Sequence, residues 1–498
     1  MLFNSLEFLL FFPAVCLGYY VIPHRFRYLF LLACSYFFYM CWNPQYALLM
    51  LTSTAITYAS GLLLARANAI REERRRLRAR KWCVAVSFVS NLAILFFFKY
   101  FQFAADTAIR VLHMLQIEAQ PPAFDVILPV GISFYTFQAL SYTVDVYRGE
   151  IYAEKNFLKY ALFVSFFPQL VAGPIERSKN LLIQINERHR FDFERVRDGL
   201  LLMLYGFFQK VVLAEYLGMA VDGIYNTYAE RTGFQLLVAT VLFAFQIYCD
   251  FGSYSNIAIG AARVMGFRLM ENFNTPYFAV SVSDFWRRWH ISLSTWFRDY
   301  LYIPLGGNRR GRVRKWFNLM VVFVTSGLWH GASWHFVFWG FLNGAYQVIG
   351  EWLGPLRRKI NRVFGVDESA FSHRLLRALL TFALIDISWI FFRASGGRDG
   401  VQILLRILGL AGTRWFTWGD NLAAMGLTRN TAELLAVSLL ILFVVDLCRY
   451  RGLRLTEWIV RQGLWFRWLV YFAGIFGILI FGVYGPGYDA SQFIYFQF

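Results

Sequence analysis

Two histidines are the residues of this sequence best suited to proton transfer, and both lie among tryptophans. His330 belongs to the run Gly327–Gly331, and His290 ends the run Phe285–His290. Histidine takes and returns a proton near neutral pH more readily than other side chains. In an apolar environment it needs a polar partner or a hydrated cavity, because its desolvation is costly. His330 is therefore a candidate general base. The alternative is a structural histidine that joins two helices.

The composition is that of a membrane protein. Of 498 residues, 58% are hydrophobic and 19% aromatic, and the mean hydropathy is +0.45. A soluble chain of this length would have a more polar surface. Apolar runs near the length of a spanning helix, about 20 residues, recur along the whole chain. We predict an all-α polytopic protein, a single integral domain over 1–498, with about eleven to twelve transmembrane helices and with re-entrant and interfacial helices around a central tunnel.

The spans are predicted roughly at 6–22, 28–42, 46–65, 82–104, 126–147, 199–218, 234–261, 316–331, 334–352, 375–394, 431–449 and 468–485. The apolar stretch 157–174 contains Pro168, Gly173 and Pro174, so a re-entrant segment is predicted there.

The formal net charge of +18 comes from basic runs between the apolar segments. The positive-inside rule assigns such runs to cytoplasmic loops, where they contact anionic lipid and require no nucleic acid. The Pro23–Arg27 turn and the helical connector 66–81 are then cytoplasmic, and the N-terminus is outside. An even number of spans also places the C-terminus outside. No cleavable signal peptide is predicted.

The polar segment 281–315 is predicted to begin with an amphipathic helix at the cytoplasmic interface, starting at Ser283 and Asp284. His290 lies at the border of its apolar face, which contains Trp286, Trp289, Leu293, Trp296, Phe297 and Tyr300. The following basic cluster is either a stop-transfer anchor or a cationic mouth for a phosphate-bearing donor. In the second case the donor-binding residues are Arg309, Arg310, Arg312, Asn308 and Trp286.

Several other classes of site lack support in the sequence. The six cysteines show no CxxC spacing, so buried free thiols are predicted, and no metal site is. We find no glycine-rich phosphate loop. The absence of an internal repeat weakens a transporter built from two related halves. The segment 395–430 is the largest candidate external loop.

The sequence resembles the membrane-bound O-acyltransferases, and more closely the bacterial branch that acylates cell-envelope polymers such as alginate, peptidoglycan and teichoic acid. The resemblance runs along the whole chain. It is carried by Leu128–Tyr135, Val171–Arg177, Tyr248–Gly260, Phe285–His290, Tyr302–Arg309, Gly327–Gly331 and Phe493–Phe498. One departure is Asn256, where the alginate-type pattern has an aspartate, although Asp250 remains.

The resemblance implies acyl transfer from a cytoplasmic thioester, with His330 as catalytic base and His290 as a second, supporting histidine. A thioester carbonyl is already activated, so no bound cofactor is expected. The acyl donor is acetyl-CoA or an acyl-carrier-protein thioester. A donor to the developing oxyanion is also needed. Asn343, Gln246 or a tryptophan N–H could supply it, with Trp329 and Asp250 as further supporting residues, and the sequence does not choose among them. His335 is interpreted as structural.

The terminal stretch 486–498 is predicted to be an external aromatic tail. It is either an interfacial anchor or, by the same resemblance, an acyl relay through Tyr495 to a secreted partner of the SGNH esterase type. A phenyl ester on Tyr495 would remain an activated acyl group.

The predicted function is O-acetylation of an extracytoplasmic polysaccharide or peptidoglycan by a multi-pass protein of the bacterial inner membrane. The rival is a transporter or flippase of an envelope precursor, which would have charged residues spread over several spans. A third reading, acylation of lipid or protein with a long chain, stays open within the family.

Overall fold

A computed structural model describes residues 1–120, 128–412, 414–417, 419–420 and 424–484. Within these ranges the regular elements are helices, and the predicted all-α polytopic fold is confirmed. The chain divides into two compact units, residues 1–203 with 257–270 and residues 204–256 with 271–498.

The helices of the first unit are α1 Leu6–Val21, α2 His24–Met40, α3 Pro44–Asn68, α4 Glu73–Leu95, α5 Phe101–Met114, α6 Ile132–Arg148, α7 Phe157–Ser165, α8 Phe167–Leu170 and α9 Ser178–Asn186. Helix α10, Phe193–Phe207, begins in it and ends in the second unit. A π-helical segment, Phe96–Tyr100, joins α4 to α5.

The second unit continues with α11 Glu215–Tyr225 and most of α12, Gly233–Met265. Its other helices are α13 Val282–Arg288, α14 Ile291–Phe297, α15 Gly311–His330, α16 Trp334–Trp352, α17 Gly354–Val363, α18 Phe371–Arg393, α19 Gly397–Ile407, α20 Arg429–Tyr450, α21 Leu455–Val460 and α22 Leu464–Phe481. Two further π-helical segments are Phe208–Ala214 and Arg298–Tyr302.

Seven helices of the described residues are long and apolar enough to cross a membrane. They are Pro44–Asn68, Glu73–Met114, Phe193–Tyr225, Gly233–Met265, Phe371–Arg393, Arg429–Tyr450 and Leu464–Phe481. Several other predicted spans form helices of only 16 or 17 residues, such as α1, α2 and α6. Helices α15 and α16 are long enough but less apolar. The chain is a multi-pass membrane protein.

Buried polar side chains hold the helices of the first unit together. Ser53 of α3 donates to Asn91 of α4 at 2.5 Å, and Tyr160 of α7 donates to Thr57 of α3 at 2.8 Å. Lipid is as apolar as leucine, so bonds of this kind and close packing replace the hydrophobic effect between spans. The nine-residue α7 rises about 14 Å, too short to cross a bilayer core, in keeping with the predicted re-entrant segment.

The predicted continuous helix of the 281–315 segment is wrong. The chain forms α13, breaks at Trp289 and His290, and then forms α14 and the π-helical segment. The helix starts earlier than predicted, because Ser281 caps it by accepting from the N–H of Asp284. The predicted apolar face is buried inside the protein, Tyr300 excepted, instead of lying on a bilayer surface.

Candidate active site

His330 is the last residue of α15, and a close helix crossing fixes its position. At this crossing Gly327 of α15 meets Gly340 of α16. A Cβ on Gly327 would lie 2.1 Å from the backbone oxygen of Phe336, and one on Gly340 would lie 2.2 Å from that of Phe323. Only glycine allows two backbones to approach this closely. The first glycine of Gly327–Gly331 therefore positions the histidine three residues after it.

The second glycine of that run, Gly331, ends α15. A Cβ there would lie 2.2 Å from the ring of Phe336, so a larger side chain would displace that ring. The chain turns at once into α16, whose first residue is Trp334. The helix end and the short turn thus give His330 one orientation, 5% exposed.

His290 occupies the break between α13 and α14 in a left-handed conformation, φ 45°. This backbone region is uncommon for a residue other than glycine, and it must be held by surrounding contacts. The side-chain oxygen of Asn272 lies 3.1 Å from Nδ1 of His290 and accepts from the N–H and the hydroxyl of Ser292 at 3.3 and 3.0 Å. Asn272 in turn donates to Ser255 of α12 at 3.0 Å.

The hydrogen bonds of Asn272 assign the tautomer of His290. Because the oxygen of Asn272 is an acceptor for Ser292, Nδ1 of His290 must be the donor toward it. The Nε2 of the neutral ring is then the acceptor atom. Burial lowers the pKa of His290 to about 3, so the ring is neutral at pH 7.

The two histidines lie side by side. Their ring centroids are 6.3 Å apart, and Trp329 lies 5.9 Å from His290. The pair can act as a base with a neutral imidazole beside it. Sequence reasoning singled out both histidines and Trp329, and the structure brings the three together.

An aromatic wall encloses His330. Trp339 of α16 lies 5.1 Å from its ring and Phe392 of α18 lies 5.4 Å from it. Trp389 stacks on Trp339 at 5.9 Å. Such a wall keeps bulk water from the imidazole and strengthens electrostatic interactions within the site. Sequence reasoning missed these three residues and Asn272, since nothing in their local pattern distinguishes them from core residues.

Trp286 packs against this aromatic wall, and Asn343 links Trp286 to Trp339. The indole N–H of Trp286 donates to the side-chain oxygen of Asn343 at 3.3 Å, and the amide of Asn343 donates to the backbone oxygen of Trp339 at 2.9 Å. Trp286 therefore lies in the core beside α16. The arginines predicted to bind the donor together with it, Arg309, Arg310 and Arg312, are exposed.

Asp250 and Gln246 lie on α12 and contact α11 and the π-helical segment before it. Lys210 bridges Asp250 and Glu215, with its Nζ 2.6 Å from an oxygen of each. Removing one partner of this buried group would leave an uncompensated buried charge, which is strongly destabilising. Gln246 approaches Gly218 of α11, and Asn256 donates to Gln209 at 2.7 Å.

The basic cluster lies at the opposite end of α15 from His330. Arg309, Arg310 and Arg312 are exposed, and Asn308 accepts a hydrogen bond from Tyr302. At a rise of about 1.5 Å per residue, Arg312 and His330 are about 27 Å apart along the helix axis. One continuous helix therefore joins an exposed cationic surface to the buried histidines.

The remaining predicted residues are placed as follows. The Nδ1 of His335 pairs with the hydroxyl of Ser333 at 2.8 Å, in keeping with a structural role. Tyr495 and the tail 486–498 lie outside the described residues. The six cysteines are free thiols, but the predicted burial is right only for Cys249, because Cys41 is exposed and the other four are partly buried. Among the described residues no group of three His, Cys, Asp or Glu could hold a metal ion.

Comparisons with known proteins show which proteins this chain resembles. A probable alginate O-acetylase of Pseudomonas aeruginosa is 40% identical to this chain, over 82% of it and 74% of the relative. The peptidoglycan O-acetyltransferase of Helicobacter pylori is 32% identical over 83% of this chain and 80% of its own. A teichoic acid D-alanyltransferase of Streptococcus thermophilus is 29% identical over 53% of this chain and 68% of its own.

The sequence profile of one family covers both histidines. It matches residues 22–365 and describes membrane-bound O-acyltransferases. The protein is thus an O-acyltransferase of the membrane, and the chain belongs to the membrane-bound O-acyltransferase family.

Proposed function

We propose that this enzyme moves an acetyl group from a cytoplasmic thioester to a hydroxyl of an extracytoplasmic polysaccharide or peptidoglycan in the bacterial inner membrane. The observation that carries the proposal is the pair of buried histidines 6.3 Å apart, enclosed by tryptophan and phenylalanine. The names of the relatives supply the acceptor classes, since they act on alginate and peptidoglycan.

His330 serves as the general base in this mechanism. It removes the proton from the acceptor hydroxyl as the oxygen attacks the thioester carbonyl carbon. The tetrahedral intermediate collapses, the carbon–sulfur bond breaks, and the proton passes from His330 to the departing thiolate. The neutral His290, with Nε2 as acceptor, orients the incoming hydroxyl or supports His330.

Arg309, Arg310 and Arg312 hold the phosphates of acetyl-CoA or the acidic surface of an acyl carrier protein. Guanidinium groups suit phosphate because they form two parallel charge-assisted hydrogen bonds. The donor would have to cover about 27 Å along α15 to bring its acyl group to His330.

The first test is acetyl transfer by purified protein in nanodiscs, supplied with radiolabelled acetyl-CoA and a soluble glycan acceptor. His330→Ala should lower the rate by at least about 10³-fold, since removal of a catalytic base has effects of this size. His335→Gln is the matched control, a histidine five residues away that we expect to be dispensable. Equal activity of His330→Ala and the wild type would refute the proposal.

Tyr495 carries the finer part of the proposal, an acyl relay to a secreted SGNH-type partner. In this case label from acetyl-CoA should appear on the wild-type protein itself and be lost in Tyr495→Phe. Labelling that survives in Tyr495→Phe would show that this tyrosine is not the relay.

A further inference from the structure

Trp339 carries a buried hydrogen-bond donor beside His330. The residue is 1% exposed, and its indole N–H finds no acceptor within the described residues. An indole nitrogen can only donate. Buried donors are nearly always paired because leaving one unpaired costs free energy, so an unpaired one at a reactive centre needs an explanation.

The indole ring is held rigidly. It meets the ring of His330 edge-on, with centroids 5.1 Å apart and an interplanar angle of 87°. Its backbone precedes Gly340, the glycine at the α15–α16 crossing, and its carbonyl oxygen accepts from Asn343. Trp286 and Trp389 pack against the same ring at 5.6 and 5.9 Å. A donor fixed in this way needs no reorganisation when charge develops near it.

The other candidate donors to the oxyanion, Asn343 and Gln246, make contacts elsewhere. The side chain of Asn343 accepts from Trp286 and donates to Trp339, and the indole N–H of Trp286 is used in the first of these bonds. The amide nitrogen of Gln246 lies against Gly218 of α11. Trp339 combines an available N–H with direct ring contact to His330.

We propose that the indole N–H of Trp339 donates a hydrogen bond to the oxyanion of the tetrahedral intermediate. The inference rests on the acyl transfer proposed above. As the acceptor oxygen bonds to the carbonyl carbon, the π electron pair of that carbonyl moves onto its oxygen, which Trp339 binds. The pair returns to re-form the carbonyl when the carbon–sulfur bond breaks, and the thiolate leaves with the proton held by His330.

The test removes the N–H and keeps an aromatic side chain at position 339. Trp339→Phe and an isosteric replacement of Trp339 by β-(3-benzothienyl)alanine should each lower kcat by about 10²–10³-fold, the usual loss for one oxyanion donor. The KM for acetyl-CoA should stay within about threefold of wild type, because the bond forms chiefly in the transition state. Trp352→Phe is the matched control, since it removes an indole N–H from an exposed position, 66% accessible, at the end of the same helix α16. We expect its kcat to stay within about threefold of wild type.

A second readout separates an oxyanion donor from a packing role. In acetyl-dithio-CoA a thiocarbonyl replaces the carbonyl, and its sulfur accepts hydrogen bonds poorly. The ratio of the rate with acetyl-CoA to the rate with acetyl-dithio-CoA should be large for wild type. For Trp339→Phe this ratio should be far smaller. The inference is overturned if Trp339→Phe keeps wild-type kcat, if both proteins show the same ratio, or if Trp352→Phe is equally impaired. An active His330→Ala would instead refute the proposed function itself.

Discussion

The side chain of Asn272 holds His290 in one tautomer, because its oxygen also accepts the N–H and hydroxyl of Ser292. One carboxamide thus determines which nitrogen of the second histidine faces its neighbours. Asparagine suits this position better than a carboxylate, since its amide nitrogen also donates to Ser255. An aspartate would add a buried charge and lose that donor.

Asn272→Leu keeps the volume and removes these hydrogen bonds. We expect kcat to fall by at least about tenfold and the free energy of unfolding to drop by about 1–3 kcal/mol, because His290 and Ser292 lose their hydrogen bonds to this side chain. Ser255→Ala is the control that breaks only the bond from the amide nitrogen, and its kcat should fall less. Steady-state kinetics and thermal unfolding in detergent measure both effects. Equal loss in the two variants would mean that the tautomer of His290 does not matter.

At the scale of single residues, the sequence predicts those whose chemistry is unusual for their surroundings. A histidine within an apolar run stands out, and so His330 and His290 could be found. Asn272 and Trp339 could not, because an asparagine in a loop and a tryptophan in a span are ordinary there. Their roles depend on contacts to residues 18 and 9 positions away, which only the folded chain defines.

At the scale of helices, the crossing of Gly327 and Gly340 should be the most sensitive point of the active site. Gly327→Ala and Gly340→Ala each place a methyl group within 2.2 Å of the partner backbone, so α15 and α16 must separate. We expect a loss of about 2–4 kcal/mol in stability and a large loss of activity, as for overpacked or strained core sites.

Gly350→Ala is the matched control for the crossing. It lies in the same α16 and a Cβ there meets nothing within 4 Å. Alanine favours helix over glycine by up to about 1 kcal/mol, so this variant should be at least as stable as wild type. Thermal unfolding of the three proteins in one detergent makes the comparison. If Gly327→Ala behaved like Gly350→Ala, the crossing would not fix His330.

Glu176 should make the stability of the first unit depend on pH. It is fully buried before α9 and accepts hydrogen bonds from the N–H of Met270 and from Asn180. Burial raises the pKa of Glu176 from 4.5 to about 7, despite the opposing charge of Arg177. The folded state then binds more protons than the unfolded state between these two values, so the free energy of unfolding falls as the pH rises through this window.

Glu176→Gln mimics the neutral carboxyl and should remove this contribution. Between pH 4.5 and about 7, we expect the melting temperature of the wild type to fall relative to that of Glu176→Gln. Above that range, the difference between the two melting temperatures should change little. Melting curves of the two proteins from pH 4.5 to 8.5 provide the measurement. Parallel curves would show that Glu176 makes no pH-dependent contribution to stability.

Helix positions were predictable from hydrophobicity, but the break at His290 was not. Trp286, Trp289, Leu293 and Trp296 recur with helical spacing, and the same spacing persists through α13 and α14. The left-handed residue between them, His290, is stabilised by Asn272, which lies 18 positions earlier in the chain. No glycine or proline nearby marks the break. Tertiary contacts overrode a regular pattern here, as they do when a site requires a strained backbone.

For the whole molecule, the net charge of +18 is divided among several exposed clusters, and only one is proposed to bind the donor. Replacing Arg309, Arg310 and Arg312 together by glutamine should raise the KM for acetyl-CoA by about tenfold or more, with kcat nearly unchanged. The effect should shrink at high salt, because exposed charges are screened.

The control removes the same charge elsewhere. Replacing Arg357, Arg358 and Arg362 of α17 by glutamine changes the net charge equally and should leave the KM for acetyl-CoA within about twofold of wild type. Initial rates at several acetyl-CoA concentrations in nanodiscs of fixed lipid composition give both values. An equal rise in both variants would point to general attraction of the anionic donor.

The glycine crossing also bears on how the protein enters the membrane during synthesis. Alone, α15 would present His330 to lipid, and α16 would present Asn343, each at a cost. Only three residues, Gly331 to Ser333, separate the two helices. We therefore expect α15 and α16 to leave the translocon as a preformed hairpin, and a nascent chain stopped after residue 331 to integrate poorly.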